Sequence, residues 1–250
     1  MKKYPWWSPV IGEEEKKLIL KCLDDNYPNE GNFSRDFEIA ISNLVGSKYA
    51  VAVTSGTAAM YLSLKALNIG QGDEVILPDL TFIATANAID MCGATPVLVD
   101  IDSKTLNIDP HEIEKSISNK TKAIIPVHVT GRPANMERII KIAQKYELKI
   151  VEDAAEAFMS KYNDKYLGTY GDTGCYSFSP NKIITTGQGG VIVTDSKEIH
   201  LKLRELKDQG RPVKGTGGDD LHHSRGYNFK FTNIQAAVGL GQISYLDERI

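Results

Sequence analysis

One lysine, Lys182, lies in a segment whose composition suits covalent chemistry by an amine. The segment runs from Tyr176 to Gly190 and is typical of a buried strand, a tight loop that carries the lysine, and glycines that lead into another strand. Because most of the 29 basic residues must be solvated surface charge, composition alone gives Lys182 no special role. Its placement after a buried strand distinguishes Lys182 from these residues, since partial desolvation would favour the uncharged amine that attacks a carbonyl. The glycines also permit close approach of the backbone to a ligand.

The residues Thr54, Ser55, Gly56 and Thr57 lie where a predicted strand is followed by a predicted helix. Free backbone N–H groups and the helix dipole favour an anion at such a junction, and hydroxyls add donors. This segment is therefore a candidate phosphate-binding site. An equally good interpretation is that Ser55 or Thr57 caps the helix and Gly56 makes the turn. The segment by itself does not decide between the two.

A carboxylate is predicted at the carboxyl edge of the sheet, where open α/β folds bind ligands. The predicted strand 149–151 is followed by Glu152 and Asp153, and Asp153 could face a cationic ligand atom. One alternative is that Asp153 caps the helix that would follow. A metal-binding aspartate of a nucleotidase is disfavoured, because the chain has no GxxxxGK[ST] phosphate loop.

The five histidines do not have the spacing of metal ligands. No HExxH or related pattern is present, and we therefore predict no metal site. His128 follows a predicted strand near the candidate site, and a structural hydrogen-bonding role is favoured there over catalysis. The histidines are His111, His128, His200, His222 and His223.

Composition excludes several classes of protein. The formal charge is -3 without a block of like charge, which disfavours nucleic acid or a polybasic membrane surface as partner. Cys22, Cys92 and Cys175 are far apart and suit buried, reduced thiols rather than a disulfide framework. No stretch approaches the ~20 apolar residues of a membrane helix, and the first residues lack the apolar run of a signal peptide. We expect a soluble, cytoplasmic protein.

Apolar runs rich in valine and isoleucine alternate with helical patterns, which predicts an α/β fold with a mostly parallel sheet. Seven strands are predicted at 50–54, 74–77, 95–99, 123–127, 149–151, 174–178 and 190–194. Helices are predicted at 13–24, 36–44, 57–67, 83–91, 110–117, 135–146 and 232–249. The glycine-containing segment 213–220 is predicted to be a mobile loop.

Several motifs occur in an order that resembles a known family. They are Thr54 to Thr57, Asp79 to Phe82, Glu152 to Glu156, Ser177 to Gly190 and Gly226 to Ala237. Together they resemble the DegT/DnrJ/EryC1/StrS family of sugar aminotransferases, which are fold type I enzymes dependent on pyridoxal 5'-phosphate (PLP). The resemblance covers essentially the whole chain. It implies a three-layer sandwich around a mostly parallel seven-stranded sheet, similar to the large domain of aspartate aminotransferase.

Two of these motifs are most similar to the branch of the family that forms perosamine. The resemblance implies that an amino group passes from glutamate to a nucleotide-linked 4-keto-6-deoxy sugar, at C4 of a GDP-linked sugar in that branch. Such amino sugars belong to lipopolysaccharide and O-antigen synthesis. Phe158, Met159 and Ser160 depart from the smaller or more polar residues of perosamine-forming relatives, so the identity of the sugar stays open.

The resemblance implies chemical roles for five residues. Lys182 would hold PLP as an imine and then move the substrate proton. Asp153 would pair with the protonated pyridine nitrogen, which makes the ring an electron sink. Phe82 and Ala155 would pack on the two faces of the ring. Glu156 would lie near the phenolic oxygen, where many relatives have glutamine or histidine.

Another set of residues would bind the cofactor phosphate. The resemblance implies this role for Ser55, Gly56, Thr57 and Ser177. It also implies a homodimer with active sites at the interface, in which Asn228 reaches the phosphate in the partner subunit. A monomer should then be inactive.

The resemblance implies a single PLP-binding large domain, residues 1–250, that begins with helices. Relatives continue into a smaller C-terminal domain, and we expect that domain to be absent or truncated here. One alternative function is therefore a non-catalytic family member that binds the cofactor. A second is a PLP-dependent sugar 3-dehydratase, which Lys182 disfavours because those relatives have histidine at its position and an imine needs a primary amine.

Overall fold

The computed structural model describes residues 8–212 and 221–250, so the predicted mobile loop at 213–220 lies outside the described residues. The strands are β1 (Tyr49–Val53), β2 (Glu74–Pro78), β3 (Thr95–Val99), β4 (Thr121–Ile124), β5 (Lys149–Asp153), β6 (Lys161–Tyr162), β7 (Lys165–Tyr166), β8 (Thr173–Ser177) and β9 (Gly190–Thr194). The α-helices are α1 (Glu13–Asp24), α2 (Asn32–Val45), α3 (Gly56–Ala66), α4 (Ala84–Met91), α5 (Pro110–Ser116), α6 (Met136–Lys145), α7 (Lys197–Lys207) and α8 (Asn233–Ile243).

Seven of the strands form one sheet in the order β1-β9-β8-β5-β4-β2-β3. The pairs from β8 through β5, β4 and β2 to β3 are parallel, whereas β9 runs antiparallel to both β8 and β1. The predicted mostly parallel seven-stranded sheet is therefore confirmed. A separate hairpin, β6 with β7, was not predicted.

The two faces of the sheet carry different apolar clusters, because successive side chains of a strand point to opposite sides. On β1, Val51 and Val53 pack with α3, while Ala50 and Ala52 pack with residues of α2 and α8. A third cluster packs Ile76 against α5 and α6. Helices thus cover both faces, which gives the expected three layers and leaves the strand ends open.

Two predicted elements end earlier in the structure than the sequence indicated, and one helix was not predicted. Strand β4 ends at Ile124 rather than at residue 127, close to Pro126, which has no N–H group for the ladder. The helix predicted over 232–249 ends at Ile243, where the hydroxyl of Ser244 donates to the carbonyl of Gly241 at 2.6 Å. Helix α7 was not predicted, although Ser196 caps it by accepting from the N–H of Ile199.

All three cysteines are buried free thiols, as the sequence predicted. Within residues 8–212 and 221–250, no helix combines the length and apolar character that crossing a bilayer requires.

A buried ion cluster joins α2, α7 and β1. Lys207 of α7 has a side chain only 1% exposed, and its Nζ lies 2.6 Å from Glu30 Oε1 and 3.2 Å from Glu38 Oε1. The same amine donates to the carbonyl of Ala52 at 3.0 Å, and Arg204 Nη1 donates to both oxygens of Glu38. Burial alone raises the pKa of Glu38, but Lys207 and Arg204 outweigh burial and hold that pKa below its usual range.

Removal of the central cation should destabilise the fold strongly. Lys207→Met should lower the free energy of unfolding by about 3–5 kcal/mol, because it leaves buried carboxylates underpaired. Since the pKa of Glu38 is depressed, the stability from its charge is present above the ordinary value of 4.5 and is lost as pH falls through the folded pKa. The loss in free energy of unfolding caused by Lys207→Met should therefore be largest near neutral pH. Urea unfolding of the parent and the variant from pH 3 to 8 measures it.

The matched control is Lys197→Met, a change at an exposed position on the same helix. We expect it to alter the free energy of unfolding by less than about 0.5 kcal/mol. Similar losses in the two variants would contradict a special role for the buried cluster.

Candidate functional site

The candidate site lies where three segments end on the same edge of the sheet. Asp153 is the last residue of β5 and Ser177 the last residue of β8, while Ser55 follows β1 and caps α3. These strands are drawn together by β9, because Gly190 pairs with both Val53 and Ser177. The sequence placed these groups at strand ends, and the sheet order brings them to one place.

Asp153 is a buried carboxylate whose two oxygens are both hydrogen-bonded. Its exposure is 5%; Oδ2 accepts from the hydroxyl of Thr85 at 2.7 Å, and Oδ1 accepts from the N–H of Ala155 at 3.1 Å. Burial raises the pKa of Asp153, and its two hydrogen-bond donors together with the charge of Lys182 offset that effect only in part. A cationic ligand atom would relieve the cost of holding this charge.

Asp153 stabilises the turn that follows β5, but it does not cap a regular helix. The bond from Ala155 is a short-range turn contact, and no helix begins in the described residues between β5 and β6. The capping alternative therefore does not account for the burial of this side chain.

Lys182 is largely enclosed in the loop between β8 and β9. Its side chain is 16% exposed, and its Nζ lies 3.9 Å from Glu156 Oε1. The other oxygen of Glu156 accepts from the N–H of Thr130 at 2.8 Å, where the backbone has a left-handed φ of 52°. The amine therefore faces the site with a carboxylate nearby, and Glu156 also fixes the loop after β4.

Ser55, Gly56 and Thr57 form the first turn of α3. Ser55 Oγ accepts from the N–H of Ala58, so the predicted cap is confirmed. The N–H groups of Gly56 and Thr57 are in the first turn of the helix, where no helical carbonyl can accept from them. They therefore remain available to an anion. Capping and anion binding are thus compatible here, rather than alternatives.

The cradle around this turn depends on two glycines. A Cβ at Gly56 would lie 3.0 Å from Cβ of Ser177, and a Cβ at Gly190 would lie 2.3 Å from the carbonyl oxygen of Ser55. Ser177 Oγ lies 3.2 Å from Ser179 Oγ, at the start of the lysine loop. The glycines therefore allow the turn of α3, the end of β8 and the lysine loop to meet.

Three further residues from the sequence analysis lie at the surface or edge of the site. Phe82 precedes α4 with a side chain 76% exposed, which is unusual for a phenylalanine without a partner. Ala155 follows Asp153 and is half-buried. Asn228 is exposed and pairs with Asp208 through an isolated bridge, so this chain presents it outward.

Sequence reasoning gave no role to Glu152, which organises the walls of the site. Its carboxylate is fully buried and accepts from the N–H groups of Gly168, Tyr170 and Gly171 at 2.9, 2.6 and 2.7 Å. His128 Nε2 lies 3.0 Å from the same carboxylate. The sequence feature that could have revealed this role is a second acidic residue next to Asp153 at the end of a buried strand.

His128 has the structural role that its position predicted. Its Nδ1 accepts from the N–H of Ala134 at 3.2 Å, so the proton is on Nε2 and is donated to Glu152. The ring is fully buried.

The described part of the chain holds no group of three His, Cys, Asp or Glu residues that could bind a metal ion.

Comparisons with known proteins agree with this geometry. A sequence model of the DegT/DnrJ/EryC1/StrS aminotransferase family matches residues 9–250. The GDP-perosamine synthase of Escherichia coli O157:H7 is 43% identical over 251 residues, which cover 100% of this chain and 68% of that protein.

Solved structures have the same fold. The aminotransferase from Psychrobacter cryohalolentis superposes with a TM-score of 0.92 at 35% identity, covering 97% of this chain and 64% of that one. NtdA from Bacillus subtilis, solved with bound cofactor PMP, gives a TM-score of 0.87 at 35% identity, covering 95% of this chain and 55% of that one. The chain thus spans less than two thirds of the length of both solved proteins.

The match to the family extends over nearly the whole chain, and it includes every segment that contributes to the candidate site. The fold, the enclosed lysine and the buried aspartate at the strand ends are all consistent with it. This chain belongs to the DegT/DnrJ/EryC1/StrS aminotransferase family.

Proposed function

We propose that this chain carries the PLP site of an aminotransferase that transfers an amino group from glutamate to a nucleotide-linked 4-keto-6-deoxy sugar of the perosamine type. The observation that carries the proposal is the pairing of a buried carboxylate, Asp153, with an enclosed amine, Lys182, on one edge of the sheet. The 43% identity to a GDP-perosamine synthase supports the choice of sugar.

The residues present fit PLP group by group. The free N–H groups at the start of α3 and the hydroxyls of Ser55 and Ser177 suit a phosphate. A buried acid whose pKa is raised suits a cationic ring nitrogen, because the ion pair offsets the cost of burying its charge. The exposed ring of Phe82 suits stacking on a flat ligand, and Ala155 would pack on the opposite face of that ligand.

When bound, PLP supplies an electron-withdrawing ring that stabilises negative charge on the carbon that loses a proton. Asp153 would hold the positive charge on that ring in place. Lys182 Nζ would bind the cofactor covalently and, once free, would carry the proton from the substrate carbon. Glu156 lies within 3.9 Å of that amine and would help to position it, next to the phenolic oxygen.

The remaining parts of the proposal concern the assembly. We propose a homodimer in which Asn228, exposed in this chain, reaches the phosphate in the partner subunit. We also propose a cytoplasmic location, which the three buried free thiols support. That residues 1–250 form one PLP-binding large domain remains a prediction.

The first experiment is an absorbance spectrum of the purified chain with PLP and then with glutamate. We expect a visible band on addition of PLP, and glutamate should replace it with the ultraviolet absorption of the amine form. A band that glutamate leaves unchanged would favour a non-catalytic family member, and absence of any band would contradict the PLP site. If the band responds to glutamate, nucleotide-linked keto sugars are screened as acceptors.

Lys182→Ala should abolish the visible band and turnover, because the imine needs a primary amine and alanine offers none. The fold should persist, since the Lys182 side chain makes only one long ion pair. Lys122→Ala, at an exposed position on β4, is the control and should keep the band. Turnover by Lys182→Ala under saturating PLP would refute the assigned role.

Asp153→Asn should slow the half-reaction with glutamate by about 100-fold or more, because the fixed negative charge beside the ring is lost. The visible band should remain, since Lys182 is intact. Stopped-flow absorbance measures the rate, and a change of less than a few fold would contradict the role of Asp153.

The same variant should be more stable than the parent chain when no cofactor is bound. Because burial raises the pKa of Asp153 above its ordinary value of 3.8, the folded parent loses stability as pH rises through the interval between the two values. Asparagine carries no charge and avoids this loss. The advantage of Asp153→Asn in urea unfolding should therefore be larger at pH 7 than at pH 4.

A further inference from the structure

Thr85, near the start of α4, points its hydroxyl into the candidate site. The side chain is fully buried, and its Oγ1 donates to Asp153 Oδ2 at 2.7 Å. The hydroxyl of Thr81 lies 2.8 Å from the hydroxyl of Thr85, and the carbonyl of Phe82 lies 3.3 Å from it. One hydroxyl thus contacts the carboxylate, a second hydroxyl, and the backbone that carries the exposed phenylalanine.

The direction of these hydrogen bonds follows from the charge of Asp153. An ionised carboxylate can only accept, so the single proton of Thr85 goes to Oδ2 and its lone pairs are free to accept from Thr81. Such a chain of hydroxyls strengthens the final bond to the charged acceptor. With Ala155 donating to Oδ1, both oxygens of Asp153 are fixed and the carboxylate has one orientation.

We infer that Thr85 is a positioning residue of this site. Its hydroxyl holds the Asp153 carboxylate charged and oriented, while its backbone N–H donates to the carbonyl of Phe82 at 3.1 Å. The functional part rests on the proposed function, because it assumes that Asp153 meets a cationic ring. The effect of Thr85 on Asp153 itself depends only on the contacts of this chain.

Other charged and titratable groups around Asp153 do not replace this donor. Lys182 acts on Asp153 through its charge, and His128 is already engaged by Glu152 and by the N–H of Ala134. Cys175, paired with Asp153 across β5 and β8, is a thiol whose pKa burial raises, so it stays neutral. Burial is the largest influence on the pKa of Asp153, and the Thr85 hydroxyl opposes it most.

The test is a titration of the Asp153 carboxyl carbon by NMR in the chain without cofactor, with Asp153→Asn used to assign the signal. Thr85→Val, which removes the hydroxyl but keeps the shape, should move the midpoint to higher pH. Thr85→Ser, which keeps a hydroxyl, should titrate like the parent. If Thr85→Val does not fold, Thr85→Cys offers only a weak donor and should shift the midpoint in the same direction.

The matched control is Thr105→Val. Thr105 donates its hydroxyl to Asp102 at 3.1 Å, so the change removes a threonine–aspartate bond of the same type at an exposed position. It should leave the Asp153 titration unchanged. An Asp153 midpoint that is the same in the parent and in Thr85→Val, or one that Thr85→Ser fails to restore, would overturn the inference.

A second measurement separates this inference from the proposed function. In the half-reaction with glutamate, Thr85→Val should lower the maximal rate about tenfold, the size expected for loss of one hydrogen bond to a charged group, with KM for glutamate unchanged. If the titration shifts but the parent chain shows no PLP band, the proposed function fails and the effect of Thr85 on Asp153 stands. If PLP and glutamate react normally in Thr85→Val and the titration is unmoved, only the inference fails.

Discussion

The burial of two adjacent carboxylates at the end of β5 is the constraint on which the candidate site depends. Three backbone N–H groups and the His128 ring satisfy the Glu152 carboxylate. A buried carboxylate that lost these donors would cost several kcal/mol. The loop before β8 and the loop after β4 must therefore close around Glu152, and those two loops form the walls beside Asp153.

Asp153 points to the other side of the strand, and its surroundings satisfy its charge less completely. It has two donors, Thr85 and Ala155, and burial still raises its pKa. Neighbouring residues with the same kind of side chain thus have different tasks: Glu152 is fully satisfied by the fold, whereas Asp153 retains a need for positive charge. That residual need supports the proposed role of Asp153 as a binding group rather than a structural one.

The elements that hold the site are themselves anchored at the edge of the sheet formed by β1. The ion cluster around Lys207 joins α7 to α2 and to β1, the strand that leads directly into the cap of α3. Strand β9 then connects β1 to β8 through Gly190, whose lack of a side chain lets Ser55 approach. The relative position of the first turn of α3 and the lysine loop is therefore set by the sheet.

The sequence by itself determined the alternation of strands and helices, the strand-end placement of Asp153 and Lys182, and membership in the family, because these follow from local apolar patterns and ordered motifs. It did not predict α7, the early end of α8 or the hairpin of β6 and β7, where boundaries depend on tertiary contacts. Only the tertiary structure decided which donors surround each carboxylate. Thr85 is 68 residues from Asp153 in the chain, so no local pattern links them, and their hydrogen bond exists because the packing of α4 against the sheet brings the two side chains together.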